Sequence, residues 1–247
     1  MNRWIAAAAF LAISLPMHAP AESIGITPYK AAYQGSVSVG SLACQMALER
    51  DADGSYTFRS TSHAIGFAAM FLKDVITETS RFEVVDGRPR ALEYSYTRTG
   101  GKHDKFETIQ FDWNKHTALT VENGQSKTTP LTPGVADRFL TQLILSLDAA
   151  SGKLQDEYKV LDHREISRFT PPKPQEKSLS VPAGEFDTLM VERQDKGSKR
   201  VMDFWFAPAL HYLPVQIQQR EPGEDTYTLS LTSSSFDKAA PAATSKN

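Results

Sequence analysis

Between Tyr29 and Leu231, apolar and polar residues alternate through most of the chain. Tyr29, Ala31, Tyr33, Val37 and Val39 alternate with Lys30, Gln34, Ser36 and Ser38 until Gly40 interrupts the run. Leu42, Cys44, Met46 and Leu48 then share a face, and Asp53-Gly54 turns the chain into Tyr56 and Phe58. A period of two punctuated by Asx-Gly is the pattern of strands joined as hairpins. It recurs at Phe82/Val84 and Leu92/Tyr94/Tyr96 around Asp86-Gly87. It recurs again at Ile109/Phe111/Trp113 and at Leu119/Val121 before Asn123-Gly124. The second half repeats it at Tyr158/Val160, Leu179/Val181, Leu189/Val191, Met202/Phe204/Phe206, Val215/Ile217 and Tyr227/Leu229/Leu231. These runs predict about 11–12 short antiparallel strands, most with one polar, solvated face.

Two segments break the alternation. From Thr132 to Gly152, Val135, Ala136, Phe139, Leu140, Leu143, Ile144 and Leu147 recur at helical spacing. Thr132 suits the cap, Pro133 the first helical position and Gly152 the stop, so the helix is expected from about Pro133 to Ser151. Ala64–Leu72 is apolar without a clean period, and helix, buried strand and mobile flap all fit it. Pro171, Pro172 and Pro174 make 169–177 an extended connector. No internal repeat or second core is visible. The expected organisation is a signal peptide over 1–21, one β-rich domain over 22–232 and a disordered tail over 233–247.

The amino terminus changes the picture most. Met1-Asn2-Arg3 precedes an apolar run from Trp4 to Leu15, and Ala19-Pro20-Ala21 places small residues where a signal peptidase reads. The run falls short of the roughly 20 residues needed to span a bilayer. Cleavage after Ala21 and release into the periplasm are therefore expected. The 247 residues carry a formal net charge of -2, which offers no basic field for nucleic acid. The single cysteine, Cys44, cannot form an internal disulfide, and its place on a strand face marks it as a small buried hydrophobe.

Chemistry-bearing motifs are scarce. There is no nucleophile elbow, P-loop, dinucleotide fingerprint or zincin pair. His63, His103, His116, His163 and His211 show no helical ligand spacing. Lys102-His103-Asp104 and Asp162-His163-Arg164 read as surface charge near turns. Asp137-Arg138 reads as charge near the start of the helix, with Asp137 favourable there and Arg138 paired elsewhere. No catalytic residue, metal ligand or cofactor is expected. The strand around Trp205 carries large rings on both faces, which fits either plain core packing or the wall of an apolar cavity.

Several segments, in order, resemble a domain-of-unknown-function family of exported bacterial proteins, the one numbered 3108. They are Tyr33-Gln34-Gly35 with Gly40, Ile65-Gly66-Phe67 to Leu72, and Asp86-Gly87-Arg88-Pro89-Arg90 running into Tyr94. Phe111-Asp112-Trp113, Gly134-Val135-Ala136-Asp137-Arg138, Val181 to Leu189, and Trp205-Phe206-Ala207-Pro208 with Leu213-Pro214-Val215 complete the series. Phe139-Leu140 stands where the family more usually has a polar residue. The resemblance implies a periplasmic protein with no established activity. It also implies a likeness to the lipoprotein-carrier fold, one curved antiparallel sheet wrapped around a helix. The residue pattern points the same way, because a concave sheet face and one apolar helix can bury each other.

The function expected is a non-catalytic periplasmic protein that binds or carries an apolar or lipid-like ligand. Its candidate cavity residues are Phe67, Met70, Phe71, Phe139, Leu143 and Trp205. An envelope-assembly protein with a fully packed core and a protein partner is the alternative, and a hydrolase is the more distant one. Neither a nucleic-acid partner nor a stable membrane anchor is expected.

Overall fold

The computed structural model describes residues 25–37, 40–223 and 226–236, so the expected signal peptide lies outside the described residues. Eight strands run in succession: β1 (Tyr29–Val37), β2 (Gly40–Arg50), β3 (Tyr56–Ile65), β4 (Val75–Val85), β5 (Arg88–Thr99), β6 (Lys105–Asp112), β7 (Thr117–Glu122) and β8 (Gln125–Pro130). Then come β9 (Val135–Asp137), the helix α1 (Arg138–Ala150), β10 (Tyr158–Asp162) and β11 (Glu165–Phe169). The last five are β12 (Gln175–Val181), β13 (Gly184–Arg193), β14 (Val201–Ala207), β15 (Leu213–Arg220) and β16 (Tyr227–Ser234).

Thirteen strands form one antiparallel sheet in the order β12-β13-β14-β15-β16-β1-β2-β3-β4-β5-β6-β7-β8. It consists of two meanders joined where the last strand pairs with the first, with Ala31 opposite Ser234 and Gly35 opposite Leu229. Register shifts at Ala32/Tyr33, Arg81/Phe82 and Trp205/Phe206 introduce bulges, which bend and twist a sheet. Asp86-Gly87 and Asn123-Gly124 both have positive φ, the geometry that two-residue hairpin turns require. The sheet remains an open half-barrel.

The excursion between β8 and β12 supplies what the curved sheet lacks. β9, β10 and β11 form a separate three-stranded sheet, with β9 parallel to β10. Arg164, in the β10–β11 turn, donates to Gln125 at 3.0 Å on one edge of the barrel. Ser167 donates to Asp195 at 2.6 Å, and the Lys196 N–H to the Arg168 carbonyl at 2.8 Å, beyond the end of β13. The small sheet thus spans the gap between the two meanders.

The helix is shorter than its apolar stripe suggests. Val135–Asp137 pairs as a strand with β10, so Pro133 does not begin the helix and Thr132 does not cap it. The cap is Asp137, whose Oδ1 accepts the N–H groups of Phe139 (3.0 Å) and Leu140 (2.8 Å). At the other end the Gly152 and Lys153 N–H groups reach the carbonyls of Ala149 and Asp148, a Schellman stop with Gly152 at φ 71. Asp148 is fully enclosed and accepts from Arg88 (2.8 Å), Gln155 (2.8 Å) and Tyr158 (2.8 Å). The helix is therefore tied to both sheets. Its Phe139 ring stacks on Phe58 at 4.1 Å, and Leu140 and Leu145 are wholly buried.

Three strands, β8, β9 and β11, were absent from the sequence expectation. Gln125–Pro130 is polar on both faces, and the other two are short. Ala64–Leu72 divides between the end of β3 and a 3-10 turn at Gly66–Met70. At the carboxyl end the expected tail begins too early: β16 runs to Ser234, and Phe236 packs on Tyr29 and His211. The tail from residue 237 lies outside the described residues.

Two outcomes follow from this docking. Leu140→Ala should cost about 2–5 kcal/mol in chemical denaturation, the range for a large-to-small change in a packed core. A cost below about 0.5 kcal/mol would be a surface-like result and would contradict it. Burial is the main cause that lifts the Asp137 carboxyl from 3.8 to about 6. The folded chain then holds that proton more tightly than the unfolded chain. The resulting stability is complete below about pH 4 and is lost as the pH rises to about 6. Asp137→Asn keeps a capping oxygen but cannot titrate. Wild type should therefore lose about 3 kcal/mol relative to Asp137→Asn across that interval, and parallel stability–pH curves would refute the assignment.

Candidate functional site

Two features of the concave side stand out, a cleft and a charge cluster. The cleft, of about 330 Å³, lies between the C-terminal half of α1 and the sheet. Leu143 and Leu147 wall it from the helix, Tyr29, Leu48 and Phe58 from the sheet, and Phe236 from beyond β16. Tyr29, Leu48 and Phe58 face inward by the alternation that buries Ala31, Met46 and Ser60 beside them. Thr27, Gln142, Ser146 and His211 are the polar residues that join this lining. Ser146 spends its hydroxyl on the Tyr212 carbonyl at 2.8 Å, and Gln142 donates to the Met46 sulfur at 3.8 Å. His211 borders the cleft from a left-handed turn at φ 54, with its ring 4.8 Å from Phe236. Leu48, Phe58, Leu143 and Leu147 give the space an apolar wall.

The six residues expected to line a cavity do not meet in one. Leu143 borders the cleft, and Phe139 sits at 6% exposure, stacked on the Phe58 ring that lines it. Trp205 belongs to the core, opposite Met190 and Gln216, away from the cleft. Its indole N–H has no hydrogen-bond partner among the described residues. Phe67, Met70 and Phe71 stand on the outside, because the turn at the end of β3 buries Ala68 against β2 and leaves these three side chains toward solvent. Cys44 is buried, as expected, with its sulfur 3.3 Å from the Ser60 hydroxyl. Burial pushes its thiol above the ordinary range, which disfavours a nucleophilic thiolate.

The charge cluster was not anticipated. Glu78, Tyr96, Glu107 and Glu122 occupy facing positions on β4, β5, β6 and β7, so three carboxylates form a row across the concave face. Like charges directly opposite one another destabilise a sheet unless cations intervene. Arg138 is the central one. Its Nε donates to Glu78 at 2.8 Å, and its Nη1 to Asp162 at 2.7 Å and to Glu107 at 3.4 Å. Its guanidinium lies over the Tyr94 and Tyr96 rings at 5.2 and 4.9 Å. His163 Nδ1 lies 3.2 Å from Glu122, and Arg164 Nε lies 3.4 Å from the same side chain.

Glu107 is 3% exposed, and its Oε1 has no partner among the described residues. Burial raises its carboxyl pKa, against the pull of Arg138 and His163. Glu107, Asp162 and His163 each offer one ligand atom within 4.8 Å of the others, a spacing that could take a cation. The Arg138 guanidinium already stands between the two carboxylates, so the geometry fits a helix latch better than a metal centre. In the sequence, Asp162-His163-Arg164 reads only as surface charge near a turn. The visible signal was Glu107 itself, an acid in phase with Ile109 and Phe111 on the apolar face of β6.

Removing the latch should be expensive. Arg138→Ala strands Glu78, Glu107 and Asp162 together and is expected to destabilise the fold by about 3–5 kcal/mol. A loss under about 1 kcal/mol, the level of an exposed ion pair, would show that the latch contributes only surface electrostatics.

Among solved structures, a beta-barrel-like protein of domain of unknown function DUF1849 from Brucella abortus has a TM-score of 0.52 at 9% identity, covering 84% of this chain and 96% of that one. At that identity the likeness is one of fold. MucB in complex with MucA(peri) aligns at 11% identity over 86% of this chain and 90% of that one, with a TM-score of 0.18. The MucA/MucB complex of Pseudomonas aeruginosa aligns at 9% identity over 83% and 88%, with a TM-score of 0.17. Scores this low carry no argument. No curated protein matches the sequence. The family described as Protein of unknown function (DUF3108) matches residues 28–232, from before β1 into β16, and the chain belongs to that family.

Proposed function

We propose that this is an exported, non-catalytic protein that binds an apolar or amphipathic small molecule in the cleft beneath α1. The observation that carries the reading is the cleft itself, a space of about 330 Å³ walled by Leu48, Phe58, Leu143 and Leu147. That volume lies at the lower end of small-molecule sites, about 300–1,000 Å³. It suits one short chain or small ring system better than a multi-chain lipid. Transfer of a chain from water contributes about 0.8 kcal/mol per buried CH₂, so binding needs no charged anchor inside the cleft. His211 and Gln142 give an amphipathic ligand two polar side chains to meet at the border. Export to the periplasm rests on the 1–21 segment, whose basic start, short apolar run and Ala19-Pro20-Ala21 fit a cleaved signal peptide.

The test is titration of the purified protein with a fluorescent medium-chain fatty acid. Wild type should bind saturably. Leu147→Trp places a larger side chain in the cleft from a partly exposed helix position and should weaken binding at least tenfold with the melting temperature retained. Absence of saturable binding in wild type, or unchanged binding by the filled variant, would overturn the reading.

A further inference from the structure

An apolar tip stands at the end of the sheet remote from the cleft. The turn Gly66–Met70 joins β3 to β4 and carries Phe67 at 72% exposure, Met70 at 66% and, just after it, Phe71 at 69%. Monomeric proteins tolerate single exposed apolar side chains, but a contiguous cluster of large ones marks a contact surface. The Phe67 and Phe71 rings lie 5.1 Å apart at 62°, so the cluster is continuous.

The backbone holds these side chains outward. Ala68, between them, is 1% exposed and packs on β2 at Gly40, where a Cβ would lie 2.6 Å from the Ala68 Cβ. Gly40 at φ 140 is thus what lets the turn seat closely. The Ala68 carbonyl accepts the N–H groups of Phe71 (3.1 Å) and Leu72 (2.9 Å), and Lys73 Nζ donates to the Ala69 carbonyl at 2.6 Å. Burying one alanine and pointing its large neighbours at solvent is the reverse of what core packing would select.

The surroundings identify the occupant. The β5–β6 turn lies against this segment, since a Cβ on Gly100 would meet the Lys73 carbonyl at 2.5 Å and one on Gly101 the Asp74 carboxylate at 2.2 Å. The two connections and the strand ends beside them carry Lys73, Arg98, Lys102 and Lys105 against Asp74 and Asp104, a surplus of two positive charges in a chain whose total is -2. Asp74 is already bound by Arg98 at 2.5 Å, which leaves the exposed lysines to set the local field. Phe106, 49% exposed at the start of β6, adds another ring at the same end. Exposed apolar side chains with lysines on the adjoining connection are what an anionic lipid surface recognises: rings enter the acyl boundary and ammonium groups meet phosphates. A convex tip of a few side chains is poorly shaped for a second protein, which needs about 800 Å² per partner, whereas a bilayer yields to it.

The geometry points to a peripheral membrane-docking tip formed by Phe67, Met70 and Phe71, with Lys73, Lys102 and Lys105 reading anionic headgroups. It does not rest on ligand binding. The cleft lies at the Leu48 end of β2 and the tip at its Gly40 end.

Vesicle flotation of the purified full chain tests this. Vesicles of phosphatidylethanolamine with phosphatidylglycerol should carry the wild-type protein, and vesicles of phosphatidylcholine should carry far less. The combined Phe67→Ser, Met70→Ser and Phe71→Ser variant should lose at least tenfold in binding without a fall in melting temperature, because these side chains are exposed. Lys73→Glu with Lys102→Glu should lose a similar factor on anionic vesicles, since each basic residue near such a surface is worth about fivefold. Leu147→Trp should float like wild type, which separates failure of the tip from failure of the cleft. No flotation of wild type, or equal flotation of the serine variant, would overturn the proposal. Sedimentation showing a dimer that the serine variant abolishes would instead assign the tip to a second copy.

Discussion

Glu78, Glu107 and Asp162 come from the large sheet and the small one, and all three converge on Arg138, the first residue of the helix. That guanidinium is the cation that all three acids share. Asp137, one residue earlier, caps the helix and accepts the Ser80 hydroxyl at 2.6 Å. Two consecutive residues therefore fix where the helix starts, how deep it sits and which strands it touches. A buried ion cluster contributes little net stability compared with an apolar replacement of the same shape. Its effect here is positional: one seating of the helix brings Arg138 to Glu78, Glu107 and Asp162 together.

That seating explains where the free space lies. The N-terminal half of α1 is drawn onto β4 by the cap and the latch and onto β3 by the Phe139–Phe58 stack. The C-terminal half is tied at its far end by Asp148 to Arg88 and Tyr158. Between these anchors, Leu143 and Leu147 span the sheet without filling the concavity above Leu48 and Phe58. The cleft is thus a by-product of pinning a straight helix at two points across a curved surface. The exposed turn has a different origin, in one glycine that allows one alanine to dock.

The sheet was legible in the sequence because alternation is a local signal and most strands carry it. Asp86-Gly87 and Asn123-Gly124 supplied turns whose residues have little conformational choice. β8 was not legible, since Gln125–Pro130 has no apolar face and is held by its pairing with β7. The helix start was misplaced because Val135 and Ala136 satisfy two patterns at once: they match the helical stripe, yet they are buried as a parallel strand beside β10. The charge cluster was hidden for a deeper reason. The acids that meet Arg138 are separated by up to 84 positions, from Glu78 to Asp162, and only the tertiary fold brings them together. For the apolar candidates, the sequence showed which residues were greasy but not on which side of the sheet they stood.

The joint between β16 and β1 has a kinetic consequence. Ala31 pairs with Ser234, and the Tyr33 hydroxyl donates to the Pro214 carbonyl at 2.9 Å, so the opening strand is held by the closing ones. Each meander can zip from its own turns, since every hairpin within it closes a short loop. The seam between them closes only after almost the whole chain is available, at the entropic cost of its longest loop. A chain threaded through a membrane from its amino end would emerge with β1 ready and its partner strand still on the other side. Until the carboxyl end arrives, that edge of β1 stays open, and the seam of the sheet cannot close.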